Sequence, residues 1–311
     1  MTGAGMQGAL GKTGLSVSRL GLGTAEIGFA YGLGAPELPS EEEAIRLLKT
    51  AVGLGITFFD TANYYGLAEE RIGKSGILKD PRVVVCTKCA KFLEDGEILT
   101  PAQMQKKIFE QVESSLRTLG VDAIPLLLLH GPSAEQLREG VLTAIISRLK
   151  KEGKIRYWGV STRGETAPLA AVERGADAVQ VAFSIADRRM APVFAAAQEK
   201  GVGVINRSVY LKGVFAGRAE HLPDSCVALK QTAAKAQIIA RSLGVSLTEL
   251  ALRYTLSESA IASSLVGTSK AEHLESAVGA LQKGALPGDV VQQLRMLAID
   301  DPNEVDPARW N

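Results

Sequence analysis

The sequence predicts an α/β protein of the (β/α)8 TIM-barrel class, with an extra C-terminal helix and tail. Apolar, strand-like runs alternate with amphipathic stretches, and no low-complexity linker separates them. Eight such runs can be counted. Several end in, or just before, a chemically reactive side chain, which is where a barrel of parallel strands keeps its chemistry. A length of 311 residues suits one such barrel, read as a single domain over residues 1–311. A doubly wound sheet, the competing architecture, would use fewer strands and place ligands at one switch point.

The first strand, about 18–24, takes the run Gly21–Leu22–Gly23. With Gly28 this run hints at a dinucleotide fingerprint, but the spacing is wrong and no helix follows promptly. The stretch SEEEAIRLLKTAVGLG then reads as a helix, with Ser40 as N-cap and Gly53 or Gly55 as its stop. Strand 56–60 is a β-branched and aromatic run that stops at Asp60. Strand 83–88, VVVCTK, closes on Lys88, and strand 125–130, PLLLLH, closes on His130. Further strands fall at 156–161, 178–183, 202–207 and 261–267. Between the last two, Gly213 to Ser225 reads as a long polar loop leading to a helix near Val227–Leu243. From about Gly288 an extra helix precedes the tail DDPNEVDPARWN.

The segment FFDTANYYG, Phe58 to Gly66, sets an acid and a phenol, Asp60 and Tyr65, five residues apart. Side chains alternate across a strand, so Lys88 shares a face with Cys86 and Val84, and His130 with Leu128 and Leu126. In a barrel one face points inward and the last inward residues ring the mouth. Asp60, Lys88 and His130 can therefore converge there, with Tyr65 leaning in from its loop. Each residue alone has a plainer reading: a helix N-cap, a solvated lysine, a core histidine. Cys86-Thr-Lys-Cys89 resembles a C-x-x-C site, but residues i and i+3 of a strand face opposite sides and cannot easily share a metal or a disulfide.

These residues resemble the aldo/keto reductase family, whose D-T-A-x-x-Y-G pattern is met by Asp60, Thr61, Ala62, Tyr65 and Gly66. The opening LGKTGLSVSRLGLGT, the Thr87–Lys88 pair, the LLLH before Gly131, GKIRYWGVS from Gly153, and Gln180 extend the resemblance over nearly the whole chain. It implies a (β/α)8 barrel that uses NAD(P)H to interconvert carbonyls and alcohols, with Asp60, Tyr65, Lys88 and His130 as the catalytic tetrad. Tyr64 sits where the family is variable. The implied chemistry needs no metal. Tyr65 supplies the proton, Lys88 lowers the pKa of its phenol from about 10, Asp60 holds the lysine charged, and His130 orients the substrate oxygen.

The resemblance also implies a cofactor site. Gly23 and Thr24 give backbone room, Asp60 lies beside it, and Ser161 and Gln180 meet the nicotinamide carboxamide. Gly267, Thr268, Ser269 and Lys270 open a helix suited to phosphate, with His273 close behind. Many relatives stack a tyrosine on the nicotinamide where this chain has Arg207, whose planar guanidinium can lie against a ring or pair with a carboxylate. Arg207, Ser208, Tyr210 and Leu211 resemble a subset of the family associated with sugar-like substrates. His273 and Ala277 replace the usual Arg and Asn, and Thr162 a common Asn. The expectation is NADP(H) slightly favoured over NAD(H), with weakened discrimination.

A net charge of +1 shows no basic excess for nucleic acid, and no apolar run approaches the roughly 20 residues of a membrane helix. The Gly-rich start shows no signal peptide, and three cysteines fit a reducing compartment, so the cytoplasm is expected. The partner is then a small carbonyl or sugar-like molecule; nothing speaks to oligomeric state. Two other readings stand beside the reductase: a sugar dehydrogenase oxidising a hemiacetal to a lactone with NAD, and a cofactor-binding regulatory subunit. Specificity is expected in the loops Phe29 to Leu38, Phe92 to Leu99 and Gly213 to Cys226, and in the tail ending at Trp310.

Overall fold

A computed structural model describes residues 6–33 and 37–310; residues 34–36 of the Phe29 to Leu38 loop lie outside that range. A hairpin of β1 (Gln7–Ala9) and β2 (Ser16–Ser18) leads into β3 (Leu20–Gly23) and α1 (Glu41–Gly53). Then come β4 (Phe58–Asp60), α2 (Ala68–Ser75), β5 (Val84–Cys89), α3 (Pro101–Leu119), β6 (Ile124–His130), α4 (Ala134–Arg138), α5 (Val141–Lys151) and β7 (Ile155–Ser161). The chain continues through α6 (Thr166–Glu173), β8 (Ala178–Ala182), α7 (Ala191–Lys200), β9 (Gly203–Arg207), α8 (Val227–Ser242), α9 (Leu247–Leu256), β10 (Ile261–Gly267) and α10 (Ala271–Gln282). It ends with α11 (Gly288–Arg295) and α12 (Pro302–Val305). Strands β3 to β10 form a closed barrel in chain order, every neighbouring pair parallel and β10 returning to β3. This is the predicted class.

Local chemistry starts α1 where expected, and a second helix by the same device. Ser40 caps α1 in a capping box with Glu43, and Thr100 with Gln103 does the same for α3, which has Pro101 in its first turn. Strand parity sorts the two cores. Phe58, Val84, Cys86, Leu126, Leu128, Ala178, Ile205 and Leu265 fill the barrel, while Phe59, Val85, Leu127, Leu129 and Val179 meet the helices. Cys86 and Cys89 fall on opposite faces and, like Cys226, are free.

Three features depart from the sequence reading. The hairpin β1–β2, which was not expected, caps the N-terminal end of the barrel with Leu10, Leu15 and Val17, which join the inner core. Helix α9 is a second helix between β9 and β10 where one was foreseen. The segment Gly213 to Ser225 is not simply polar, for Val214, Phe215 and Leu222 are buried and tie it down. No helix among the described residues is long and apolar enough to cross a membrane.

Candidate active site

The strand ends converge as the parity argument requires. Asp60 and Lys88 are buried at the ends of β4 and β5, and the lysine Nζ lies 2.6 Å from Asp60 Oδ2. The same Nζ donates to the Thr61 carbonyl at 2.9 Å and reaches the Tyr65 hydroxyl at 3.5 Å. It also stands 4.8 Å from the centre of the Tyr65 ring. The rings of Tyr65 and His130 meet edge to face with centroids 6.2 Å apart. All four expected tetrad residues therefore meet at the C-terminal mouth.

The Tyr65 loop is held by backbone. Thr61 and Asn63 amides donate to the Cys86 and Lys88 carbonyls, and Leu67 donates to Gly28. A Cβ at Gly28 would fall 1.9 Å from the Tyr65 carbonyl oxygen, and Gly66 takes the left-handed region at φ +51°. Gly28, a discarded fingerprint residue in the sequence reading, is thus the floor under the Tyr65 loop.

Electrostatics separates the four roles. Burial pulls the Lys88 pKa down, but the Asp60 charge and the Tyr65 phenol raise it further, so the ammonium is held charged. Burial also raises the Tyr65 phenol, and Lys88 only partly opposes it. This corrects the sequence expectation of a net lowered tyrosine: removing the ring from water outweighs the ammonium. The phenol stays protonated in the resting cleft. Burial, then Lys88, Lys91, Arg207 and Arg163, depress His130 to about 3. Its imidazole is neutral at physiological pH, and its Nδ1 is buried without a hydrogen-bond partner.

A cavity of about 1140 Å³ runs from the tetrad toward α10. Gly23, Thr24, Asp60, Ser161, Gln180, Arg207, Ser208, Gly267, Thr268, Ser269, Lys270 and His273 all line it. Gln180 bridges two of the others, donating to Asp60 Oδ1 at 2.6 Å and accepting from Ser161 Oγ at 2.8 Å. Arg207 donates to the Thr162 carbonyl at 2.9 Å and to Ser208, and pairs with no carboxylate among the described residues. Of the two alternatives, the carboxylate pairing is not made, and the guanidinium lines the cavity. Thr268 Oγ accepts the Lys270 amide and bonds His273 Nδ1 at 2.8 Å, which turns the imidazole onto the strand end. Leu211 departs from expectation: its side chain is fully buried in the helix-side core and lines no part of the cavity.

These residues fit a dinucleotide. The cavity is large enough for one, and Gly23, where a Cβ would make only ordinary contacts from 3.8 Å outward, lies on its wall. Gln180 and Ser161 would hold the carboxamide, and Gly267 to Lys270 the phosphates, with Lys212, Arg218 and Lys283 adding positive charge along the walls.

The sequence reading named the Phe92 to Leu99 loop and the tail but missed the outer wall that joins them. Arg163 donates to Glu94 at 2.6 Å and to Asp306 at 2.9 Å, joining the loops after β5 and β7 to the tail. Lys91 reaches Glu94 at 3.1 Å. The tail is anchored further by Glu304, which accepts from the Ala228 and Leu229 amides at the start of α8, and by Ile299, whose amide donates to Ala186. Asp306, Pro307 and Ala308 consequently line the cavity. No spacing signal marks this network, because its members come from three separate loops.

The model of the Aldo/keto reductase family matches residues 19–299. Similar proteins include L-galactose dehydrogenase of Arabidopsis thaliana, 32% identical over 288 residues that cover 88% of this chain and 87% of that protein. D-threo-aldose 1-dehydrogenase of a Pseudomonas species is 27% identical over 304 residues, covering 86% of this chain and 90% of that one. Among solved structures, the holo form of an aldo-keto reductase from Bacillus halodurans superposes with a TM-score of 0.78 at 28% identity, covering 98% of this chain and 100% of that one.

Proposed function

Because this chain belongs to the aldo/keto reductase family, and is an NAD(P)-dependent oxidoreductase interconverting carbonyls and alcohols, we propose that Tyr65 is its acid–base residue. The observation that carries this is the buried Asp60–Lys88 pair set 3.5 Å from the Tyr65 hydroxyl. A nicotinamide held by Ser161 and Gln180 would supply or accept the hydride. In reduction, the protonated Tyr65 phenol gives its proton to the carbonyl oxygen, and the phenolate left behind is stabilised by the Lys88 ammonium. Asp60 keeps that ammonium charged and in place. Neutral His130 donates a hydrogen bond to the same oxygen and orients it.

On the cofactor, the reading is that both forms bind, with NADP(H) held somewhat more tightly than NAD(H). Lys270 supports it: it lies at the start of α10, is largely exposed, and among the described residues pairs with no carboxylate but Glu272, at 3.9 Å. Against strict choice stands His273, which offers one donor and no fixed charge where an Arg would bring a charged fork. The three cysteines, all unpaired and buried, support a cytoplasmic, reducing compartment.

A second reading, an aldose dehydrogenase, is favoured by the wall of Lys91, Glu94, Arg163 and Asp306 above the tetrad. Charged groups suit a polyhydroxylated substrate better than an apolar carbonyl, and two relatives are named for sugar oxidation. The test is a thermal-shift comparison of NADH, NADPH, NAD and NADP, then turnover with panels of aldehydes and aldoses. Reduction of aldehydes with NADPH supports the first reading. Oxidation of aldoses with tighter binding of NAD(H) puts the second in its place. Cofactor binding without turnover on either panel would overturn both.

A further inference from the structure

Glu26 is a carboxylate that the reaction does not use. It lies in the short turn Ala25–Ile27 after β3 and lines the cavity. Among the described residues no cation pairs with it. The guanidinium that tempers its charge, Arg218, donates its Nη1 to the Leu33 carbonyl at 2.7 Å. On the neighbouring strand, whose Gly267 pairs with Gly23, a Cβ on Gly267 would fall 2.2 and 2.4 Å from the two Glu26 carboxylate oxygens. The acid therefore fills the volume over the end of β10, immediately before the Thr268–Lys270 segment that opens α10. An ionised carboxylate at that place repels an entering diphosphate, whereas a protonated one can donate to it.

We propose that Glu26 belongs to the dinucleotide site and takes up a proton from solvent when the cofactor's diphosphate enters beside Gly267. This rests on the reading that the cavity binds NAD(P)(H). The resting site is poised for it: burial pushes the Glu26 pKa up to about 7, while its own backbone amide and Arg218 pull it back. Toward α10 the same cavity is lined by Arg207, Lys212, Lys270, His273 and the paired Lys283 and Glu249, and toward the tetrad by Tyr31, Tyr65, Tyr210 and Arg163. The cations among them favour the ionised acid, and a second negative charge reverses that balance.

The test is binding of NADH, whose diphosphate stays ionised throughout, from about pH 6 to about pH 8. Fluorescence titration gives the affinity, and calorimetry in two buffers of different ionisation enthalpy counts protons. Wild-type affinity should weaken by about tenfold across that range with uptake of a fraction of a proton, the limit for one linked group. Glu26→Gln, of equal size, should bind with no such slope and more tightly than wild type at the upper end. His273→Gln should keep the wild-type slope. The proposal is overturned if Glu26→Gln retains the slope, if His273→Gln loses it, or if no proton is taken up. Failure of both NADH and NADPH to bind at any pH would instead overturn the cofactor reading and this proposal with it.

Discussion

Tyr65 and Tyr64 are adjacent tyrosines with opposite fates. Tyr65 lies against Lys88 and His130, whereas Tyr64 is 60% exposed under Lys91. Tyr65→Phe should lower turnover by about 10²–10⁴-fold, the usual worth of general acid catalysis, with cofactor affinity nearly unchanged. Tyr64→Phe should turn over like wild type; the reverse pattern in steady-state kinetics would end the assignment. Lys88→Met should cripple reduction at neutral pH, Asp60→Asn should do less, and the double variant should lose little more than Lys88→Met. Additive losses would argue against a shared role, since coupled groups give non-additive effects. His130 predicts a pH effect on stability. Its folded pKa of about 3 lies below the unfolded value of 6.5. Between the two the unfolded chain binds a proton that the folded one refuses, so stability is full above the unfolded value and falls as the pH drops toward the folded one. Denaturant unfolding at stepped pH should show His130→Gln with a flatter acid limb. The tetrad was legible because each member closes or follows a strand with a readable inward parity. The net direction of the Tyr65 shift was not, because desolvation depends on everything packed around the ring.

At the scale of elements, the Tyr65 loop is located by two glycines that approach each other's backbones. Gly28→Ala places a methyl group where the Tyr65 carbonyl oxygen stands. The loop must then move, and a displacement of about 1 Å at a catalytic group can cost on the order of 10²-fold. The expected result is a folded protein whose thermal transition is modestly lowered, whose NADPH affinity is within a few-fold of wild type, and whose kcat falls by about that factor. Unchanged kcat would show that the loop absorbs the methyl group without moving Tyr65. The start of α1 was readable from Ser40, because capping is a property of four consecutive residues. Gly28 was not readable, because its partner lies 37 positions downstream and the contact is backbone to backbone.

For the whole molecule, the cleft joins the tetrad at one end to the start of α10 at the other, so on the proposed reading cofactor choice would be decided far from the chemistry. If Lys270 grips a 2′-phosphate, Lys270→Ala should weaken NADPH binding by about 1–3 kcal/mol and leave NADH little affected. Equal weakening of both would place the lysine on the diphosphate common to them. Tighter binding of NADH than NADPH by the unmodified protein would reverse the proposed preference and favour the sugar-dehydrogenase reading.

The barrel and its tetrad follow from short-range patterns: a period of two along each strand, caps at helix starts, and the family signature around Asp60 and Tyr65. These survive in one dimension because each involves neighbours in sequence. The tail was expected to carry specificity. The Arg163 bridge from Glu94 to Asp306 that holds it spans 212 positions and exists only once the barrel has closed. The same holds for Glu26 over Gly267, a contact made by joining the first barrel strand to the last. Loop-to-loop contacts across a closed sheet have no sequence period, so only the tertiary structure decides them.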